Sequence, residues 1–551
     1  MAAAGDEPQA RPARAWQVPG PAALGAAVLV GLSLSPSLMP RSGVIQGLIC
    51  GLAAATGYGL GLLVAWLVRE VTGRRAEPSR RSPRTLRIPL LAGAGTLAVL
   101  AVLGKTWQDE VRVLMGSPVP GFSWYPQALL VALLVLVLLV GVARLIRRAA
   151  LAAGRVAGRH MPPRAGRAVG ALLIGGLTIA VLDGILTGVA YPVLDRAFRT
   201  VNAVVDPDVA QPASDHVSGS SASAVRWEDL GSDGRDFIAE VPTAERIATV
   251  ARDVSAEPIR VFVGIESSDD PVVRAELALA DLEAFGAFER SVLVVATSTG
   301  TGWIDQRAVE PIELMYGGDS AIVSTQYSHL PSWLSFLVDQ ERARQAARTL
   351  FDAIYARWVQ LPEESRPTLL VFGESLGSFG AESAFTGVTD MATRSDGALL
   401  VGPPQASPLH RAVTESRDPG TPEWQPVVDG GQTLRFGRGA DDLRDLPGEW
   451  PAPRLVYLQN PSDPVVWWSP QLLLTRPDWL AEPRGPDVSE HMRWWPILTF
   501  LQLTGDMMDS TSVPAGHGHV YGYNQAAAWT LIAPPPGWTG ADTERLLALY
   551  R

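Results

Sequence analysis

Thr368-Leu369-Leu370-Val371-Phe372-Gly373-Glu374-Ser375-Leu376-Gly377-Ser378 decides how the whole chain reads. Its first five residues are an apolar run of the length of a buried strand. The run ends in Gly-x-Ser-x-Gly, and the small residues Ser378, Gly380 and Ala381 lead into a helix. Strand, serine on a tight turn, then helix is the sequence form of a nucleophile elbow, which lifts the serine hydroxyl above the end of a sheet. Gly373 and Gly377 fit it because a side chain at either would collide with the neighbouring strand or helix. The pentapeptide alone is common by chance, so its weight comes from the strand before it and the residues downstream.

Outward from the elbow, strands alternate with helical patterns. Strands are expected at 259–264, 291–296, 321–325, 398–401 and 454–458, with helical spacing over 271–287 and 339–360. That alternation predicts an α/β domain, a mostly parallel sheet flanked by helices, over 227–551. An insertion rich in Pro, Gly and Asp, 403–453, reads equally as a lid or as a surface excursion.

A serine hydroxyl needs a base within reach and a third group to orient that base. In folds built on this elbow the order is Ser, acid, His. Asp463, in Gln459-Asn460-Pro461-Ser462-Asp463-Pro464, follows the strand 454–458 at its C-terminal end, where such sheets keep functional groups. Asp506 and Asp509 are weaker rivals, in or near a helical run. His517 and His519 follow in the Gly-rich loop Gly516-His517-Gly518-His519-Val520-Tyr521, and either serves as base. The alternative for His-x-His is a metal pair, for which no carboxylate or cysteine partners are evident. An oxyanion needs two backbone donors. Leu376 N–H supplies one, and the loop Thr297–Gly302, with Thr299 and Gly300, supplies the other.

The halves of the chain differ in charge. Residues 1–200 carry 21 Lys+Arg against 8 Asp+Glu, net +13, and residues 201–551 carry net −23, within a total of −10. The acidic half argues against nucleic-acid binding. The single cysteine, Cys50, excludes an intramolecular disulfide. Five apolar stretches, 21–39, 44–68, 88–103, 128–143 and 169–191, predict a membrane bundle of about five spans over 1–200. The first, after Arg11 and Arg14, lacks a clear small-x-small cleavage site and reads as a retained span. Seven Arg lie between spans two and three and seven between spans four and five, against at most two basic residues in the other connections. The alternation places the N-terminus and both Arg-rich loops in the cytoplasm and everything after about residue 195 outside. Asp183, inside span five, is a candidate functional residue or a structural contact. Residues 201–226, with Ser218-Gly219-Ser220-Ser221, read as a flexible linker.

Together these residues resemble membrane-anchored bacterial, actinobacterial-type α/β-hydrolases with a multispan N-terminal region. The resemblance runs over nearly the whole chain. It rests on the stretch Ser33–Arg41, on Thr299-Gly-Thr-Gly-Trp303, Gln326-Tyr-Ser328 and Gly373-Glu-Ser-Leu-Gly377, on Tyr457-Leu-Gln459 with Ser462-Asp-Pro464, and on Gly518-His-Val-Tyr521. It implies a triad of Ser375, Asp463 and His519, and favours His519 over His517. One departure is that 464–515 shows no final strand before the histidine.

The expectation is a multi-pass cell-membrane protein with an extracytoplasmic serine hydrolase domain. Its substrate is an ester of a lipid or other apolar acyl compound, with membrane lipids as partners and no cofactor, metal or nucleic acid. Two rivals stand beside it: an acyltransferase using the same triad, and an inert membrane scaffold or transport component.

Overall fold

The computed structural model describes residues 20–72 and 83–551. By internal contact the chain divides into two units. One comprises the described residues up to Pro36, Arg41–Asp109 and Pro120–Leu145; the other comprises Ser37–Pro40, Glu110–Val119 and Ile146–Arg551.

Among the described residues, three helices are long and apolar enough, by length and composition, to cross a membrane: Gly43–Thr72, Trp124–Ala157 and Arg164–Asn202. Two of the five expected stretches, 21–39 and 88–103, are not among these three. Among the described residues the first stretch forms the helix Gly20–Ser33, whose 14 residues reach about 21 Å at 1.5 Å per residue, short of the roughly 30 Å of hydrocarbon. Pro36 and Pro40 then prevent its continuation. The stretch 88–103 falls in the helix Pro83–Leu114, where Lys105, Asp109, Glu110 and Arg112 end the apolar run. Asp183 lies exposed on the third long helix.

Within the first unit, the helices Gly20–Ser33 and Gly43–Thr72 approach at Gly25 and Gly57. A Cβ on Gly25 would lie 2.2 Å from the Gly57 carbonyl oxygen, so small residues set this crossing. Arg41 is fully buried. Its guanidinium donates to Ser33 O (3.2 Å), Ser35 O (3.2 Å) and Gln46 Oε1 (2.8 Å), answering carbonyls that the helix end leaves open.

In the second unit seven strands form one sheet: β1 (Ile259–Val263), β2 (Val292–Thr297), β3 (Ser320–Thr325), β4 (Thr368–Glu374), β5 (Gly397–Val401), β6 (Leu434–Gly437) and β7 (Arg454–Leu458). Their order is β1-β3-β2-β4-β5-β7-β6, and every pairing is parallel. Parallel strands need crossovers that cover both faces, which is why β1, β2, β3 and β5 are buried throughout and read as mainly apolar runs. Six strands lie where the sequence places them.

β6 does not, and it lies inside the 403–453 insertion. Four residues with Arg435 among them give no strand pattern. Arg435 is nevertheless buried, donating to Gly431 O (2.8 Å) and Leu443 O (2.6 Å). The insertion thus supplies the sheet's edge, and the last strand missing from 464–515 is not needed there. The 201–226 segment is also a correction. Ser218 Oγ (2.6 Å) and Ser223 Oγ (2.7 Å) donate to Asp281 Oδ2, Ala224 N (2.6 Å) donates to Oδ1, and Val217 bridges to Arg260 of β1. A Ser-rich stretch that looks like a linker is held here by one buried carboxylate.

Candidate active site

β4 ends the central run of the sheet and delivers Ser375 into a φ of 56° and ψ of −123°. A side-chain-bearing residue adopts positive φ only under constraint, and here the constraint is close packing on both sides of the turn. A Cβ on Gly373 would lie 2.4 Å from Gly377 O, and one on Gly377 would lie 2.3 Å from Thr297 O of β2. Ser375 N donates to Val401 O of β5 at 2.8 Å. The serine is partly exposed while its neighbours on both sides are buried. Leu376 opens the helix Leu376–Glu382, so its N–H has no acceptor within the helix.

The histidine loop reaches the same end of the sheet. Gly402 follows Val401, and a Cβ there would lie 2.6 Å from His519 Cε1, so only glycine leaves room for the ring. His519 Nδ1 is 2.7 Å from Asp463 Oδ2. The Tyr521 hydroxyl donates to the same oxygen at 2.7 Å, and Val465 N donates to Oδ1 at 2.8 Å. Asp463 is fully buried. His519 Nε2 is buried and has no hydrogen-bond partner among the described residues. Burial disfavours the imidazolium, but the charge and hydrogen bond of Asp463, with Glu374 adding, outweigh it and raise the His519 pKa. The two histidines of the loop separate cleanly. His517 Nδ1 meets Asp487 Oδ2 at 3.0 Å instead. Its ring lines a polar cavity of about 400 Å³ with Arg438, Asp442 and Asn524. Among the described residues no group of three or more His, Cys, Asp or Glu could hold a metal ion. Asp506, a rival acid in the sequence, accepts from Leu38 N (3.1 Å) and Met39 N (3.4 Å).

In the β2 loop, Thr299 N donates to Trp303 O at 3.0 Å, so the Thr299 amide is committed inside its own turn. Thr297 and Ser298 carbonyls lie against the Gly377 position. Ser298, Gly300 and Thr301 are the amides of this loop with no backbone acceptor among the described residues.

Sequence reasoning quoted Glu374 within the elbow but gave it no role. Gln525 Nε2 donates to Asp305 Oδ2 (3.0 Å) and to Glu374 Oε2 (3.3 Å), and Arg307 Nε donates to Asp305 Oδ1 (3.1 Å). Burial, with the charge of Asp305, pushes the Glu374 carboxyl up to about 8. The only sequence signal was an acidic residue between apolar strand and nucleophile.

A family model described as "Alpha/beta-hydrolase family" matches residues 259–546, and one described as "Alpha/beta-hydrolase family N-terminus" matches residues 34–242. The chain belongs to this alpha/beta-hydrolase family. Neither the curated proteins nor the solved structures contain a match. In this α/β-hydrolase the strand β7 also fastens the insertion. Tyr457 OH donates to Glu382 Oε2 (2.8 Å), which with Oε1 receives the amides of His410 and Leu409. Gln459 Oε1 lies 2.7 Å from His410 Nε2, and its Nε2 donates to Trp424 O (2.9 Å). The adjacent Trp467 and Trp468 divide as well. Trp467 is buried against Trp479, whereas Trp468 meets Phe336 and Phe500 at the edge of the fold.

Proposed function

We propose that the protein is a membrane-anchored serine hydrolase that cleaves an ester of a lipid or another apolar acyl compound. The observation that carries this is the bare Nε2 of His519, whose other nitrogen is held by buried Asp463, at the end of the sheet that also carries the strained elbow serine. Ser375 Oγ attacks the acyl carbon as His519 takes its proton. Asp463 fixes the ring and balances the imidazolium. Leu376 N–H, with an amide of Ser298 or Gly300, receives the oxyanion. The alcohol leaves with the proton from His519, and water then reverses the sequence to release the acid.

An apolar substrate is supported by what surrounds the β2 loop. A Cβ on Gly300 would lie 2.1 Å from Leu330 O and 2.6 Å from Ser335 Oγ. Ser335 belongs to the short helix Ser332–Val338, on which Trp333 and Val338 are exposed. Phe336 of that helix meets Trp468 at 6.3 Å between ring centroids. The short helix that packs on the β2 loop thus also presents large exposed apolar side chains, a surface for a lipid acyl chain to lie on.

The test is a fluorophosphonate probe on the full chain in detergent. Labelling is expected at Ser375 and absent in Ser375→Ala. Wild-type protein that neither labels nor turns over activated esters overturns the reading. Product analysis with added alcohols separates hydrolysis from acyl transfer.

A further inference from the structure

The sequence mark Ser33–Arg41 has no part in the chemistry above, yet its middle lies inside the catalytic unit. Ser37–Pro40 groups with the hydrolase fold. Leu38 and Met39 are fully buried in a cluster with Trp467, Leu472, Trp479 and Val513. Their two backbone N–H groups converge on Asp506 Oδ2, at 3.1 and 3.4 Å. A buried carboxylate that receives main-chain donors fixes the backbone supplying them.

This anchor sits close to the histidine loop along two routes. Asp506 ends the helix Leu498–Asp506, and the chain continues through Met507–Asp509 to Ser510, whose carbonyl accepts His519 N at 2.8 Å. The second route is direct. A Cβ on Gly518 would lie 2.9 Å from Met39 Cε, 2.6 Å from Ser510 O and 2.8 Å from Val513 Cγ2. Gly518 has φ +51, a conformation glycine adopts freely, whereas a side chain there would strain the backbone and find no room. Its N–H takes Ser462 Oγ (2.8 Å) and its carbonyl takes Asn460 Nδ2 (2.9 Å), both from the turn that carries Asp463. The loop is therefore hydrogen-bonded to the acid's turn, while the methyl of Met39 packs against Gly518.

We propose that Ser37–Pro40 is a positioning element for His519, with Met39 packing under Gly518 and Asp506 clamping the segment. It rests on the serine hydrolase reading for its catalytic consequence, but not for its geometry. Without the Met39 methyl the loop gains room to move, and Nδ1 of His519 is no longer held against Asp463. An N-terminal segment far from the nucleophile in sequence thereby becomes part of the catalytic apparatus.

The experiment uses the full chain in detergent with Met39→Ala, Met39→Leu and Asp506→Asn. Three quantities are measured: kcat and KM on a soluble activated ester, the midpoint of the acid limb of the pH–rate profile, and the rate of carbethoxylation of His519 by diethyl pyrocarbonate, read by mass spectrometry. Met39→Ala and Asp506→Asn are expected to lower kcat by about tenfold to a hundredfold at nearly unchanged KM, as a misplacement on the order of 1 Å does. The acid limb is expected to move to lower pH, because His519 loses contact with the carboxylate that raises its pKa. Carbethoxylation is expected to quicken. Met39→Leu, which refills the volume, is expected to restore all three. Wild-type values in Met39→Ala and Asp506→Asn overturn the proposal, as does a Met39→Leu variant no better than Met39→Ala. Should Met39→Ala lose its thermal transition, Met39→Leu and Asp506→Asn decide. An inactive, unlabelled wild type overturns the hydrolase reading alone. Carbethoxylation then decides the positioning role by itself: faster in the variants supports it, unchanged overturns it.

Discussion

His519 Nδ1 and the Tyr521 hydroxyl meet the same oxygen of Asp463, each at 2.7 Å. Two residues of one short segment thus hold one buried carboxylate. Tyr521→Phe removes a hydrogen bond to a charged group, which is expected to cost about 1.5–3 kcal/mol of stability. The kcat is expected to fall about tenfold, since the carboxylate keeps His519 but loses its second brace. Thermal melts and ester turnover check both. A stable, fully active variant would show that Tyr521 fills space only.

The loop carries two histidines with different carboxylates, so their alanine variants must differ. His519→Ala is expected to lose about 10⁴-fold or more in kcat, as removal of a triad member does. His517→Ala is expected to stay within about tenfold, because its partner Asp487 is tied to Ser462 and not to the nucleophile. Turnover of an activated ester by both purified variants decides it, and the reverse ranking moves the base to His517.

The pH–rate profile follows from the direction of the His519 shift. The base works only when neutral, and its pKa is raised above the ordinary 6.5. The rate is therefore expected to rise with pH through a midpoint above that value. Asp463→Asn removes the charge that outweighs burial, so its residual activity is expected to show a lower midpoint. An unmoved midpoint in that variant would assign the limb to another group.

Glu374 carries a stability prediction of definite sign. Its ordinary pKa is 4.5 and burial with Asp305 lifts it to about 8. Between those values the folded chain holds a proton that the unfolded chain releases. Stability on this account falls as pH rises across the window, and levels off above it. Glu374→Gln cannot ionise. Its melting temperature relative to wild type is expected to climb from about pH 5 to about pH 8. Parallel melting curves for the two proteins would show that the carboxyl ionises in the fold at its ordinary pH.

Placement of the hydrolase domain outside the cytoplasm is a proposal, and the helix inventory sharpens its test. The alternation of Arg-rich loops needs five spans, whereas three put the two Arg clusters on opposite sides of the bilayer. A cysteine at exposed Asp208 is expected to react with a membrane-impermeant thiol reagent in intact cells, Cys50 being buried. Protection until lysis would invert the orientation.

The sheet was legible because its strands are buried on both faces and so announce themselves as apolar runs. The elbow was legible because close approach demands glycine at both Gly373 and Gly377. β6 was hidden for the opposite reason: Arg435 sits in a four-residue strand, and its acceptors are carbonyls that no pattern reveals. The Ser218–Ser221 stretch misled because composition records polarity but not the single carboxylate, Asp281, that organises it. Thr299 was named as an oxyanion donor on the strength of a glycine turn, and the turn itself consumes its amide. The proposed triad partners were named from their order along the chain, yet nothing in that order pointed to Tyr521 or to Met39.

The parallel pairing has a consequence for how such a chain comes into being. No two of its strands can close as a hairpin, so each pairing waits for a crossover and contacts are made across long stretches of chain. The elbow can set once β5 joins β4, because Ser375 N needs the Val401 carbonyl. His519, the proposed base, arrives only after the insertion, β7 and the turn of Asp463 have been made. On the proposed mechanism, a nascent chain stalled between Leu458 and residue 519 would carry Ser375 beside all seven strands and still lack its base. If the proposed triad holds, synthesis in the N-to-C direction withholds activity until the chain has been made through the histidine loop.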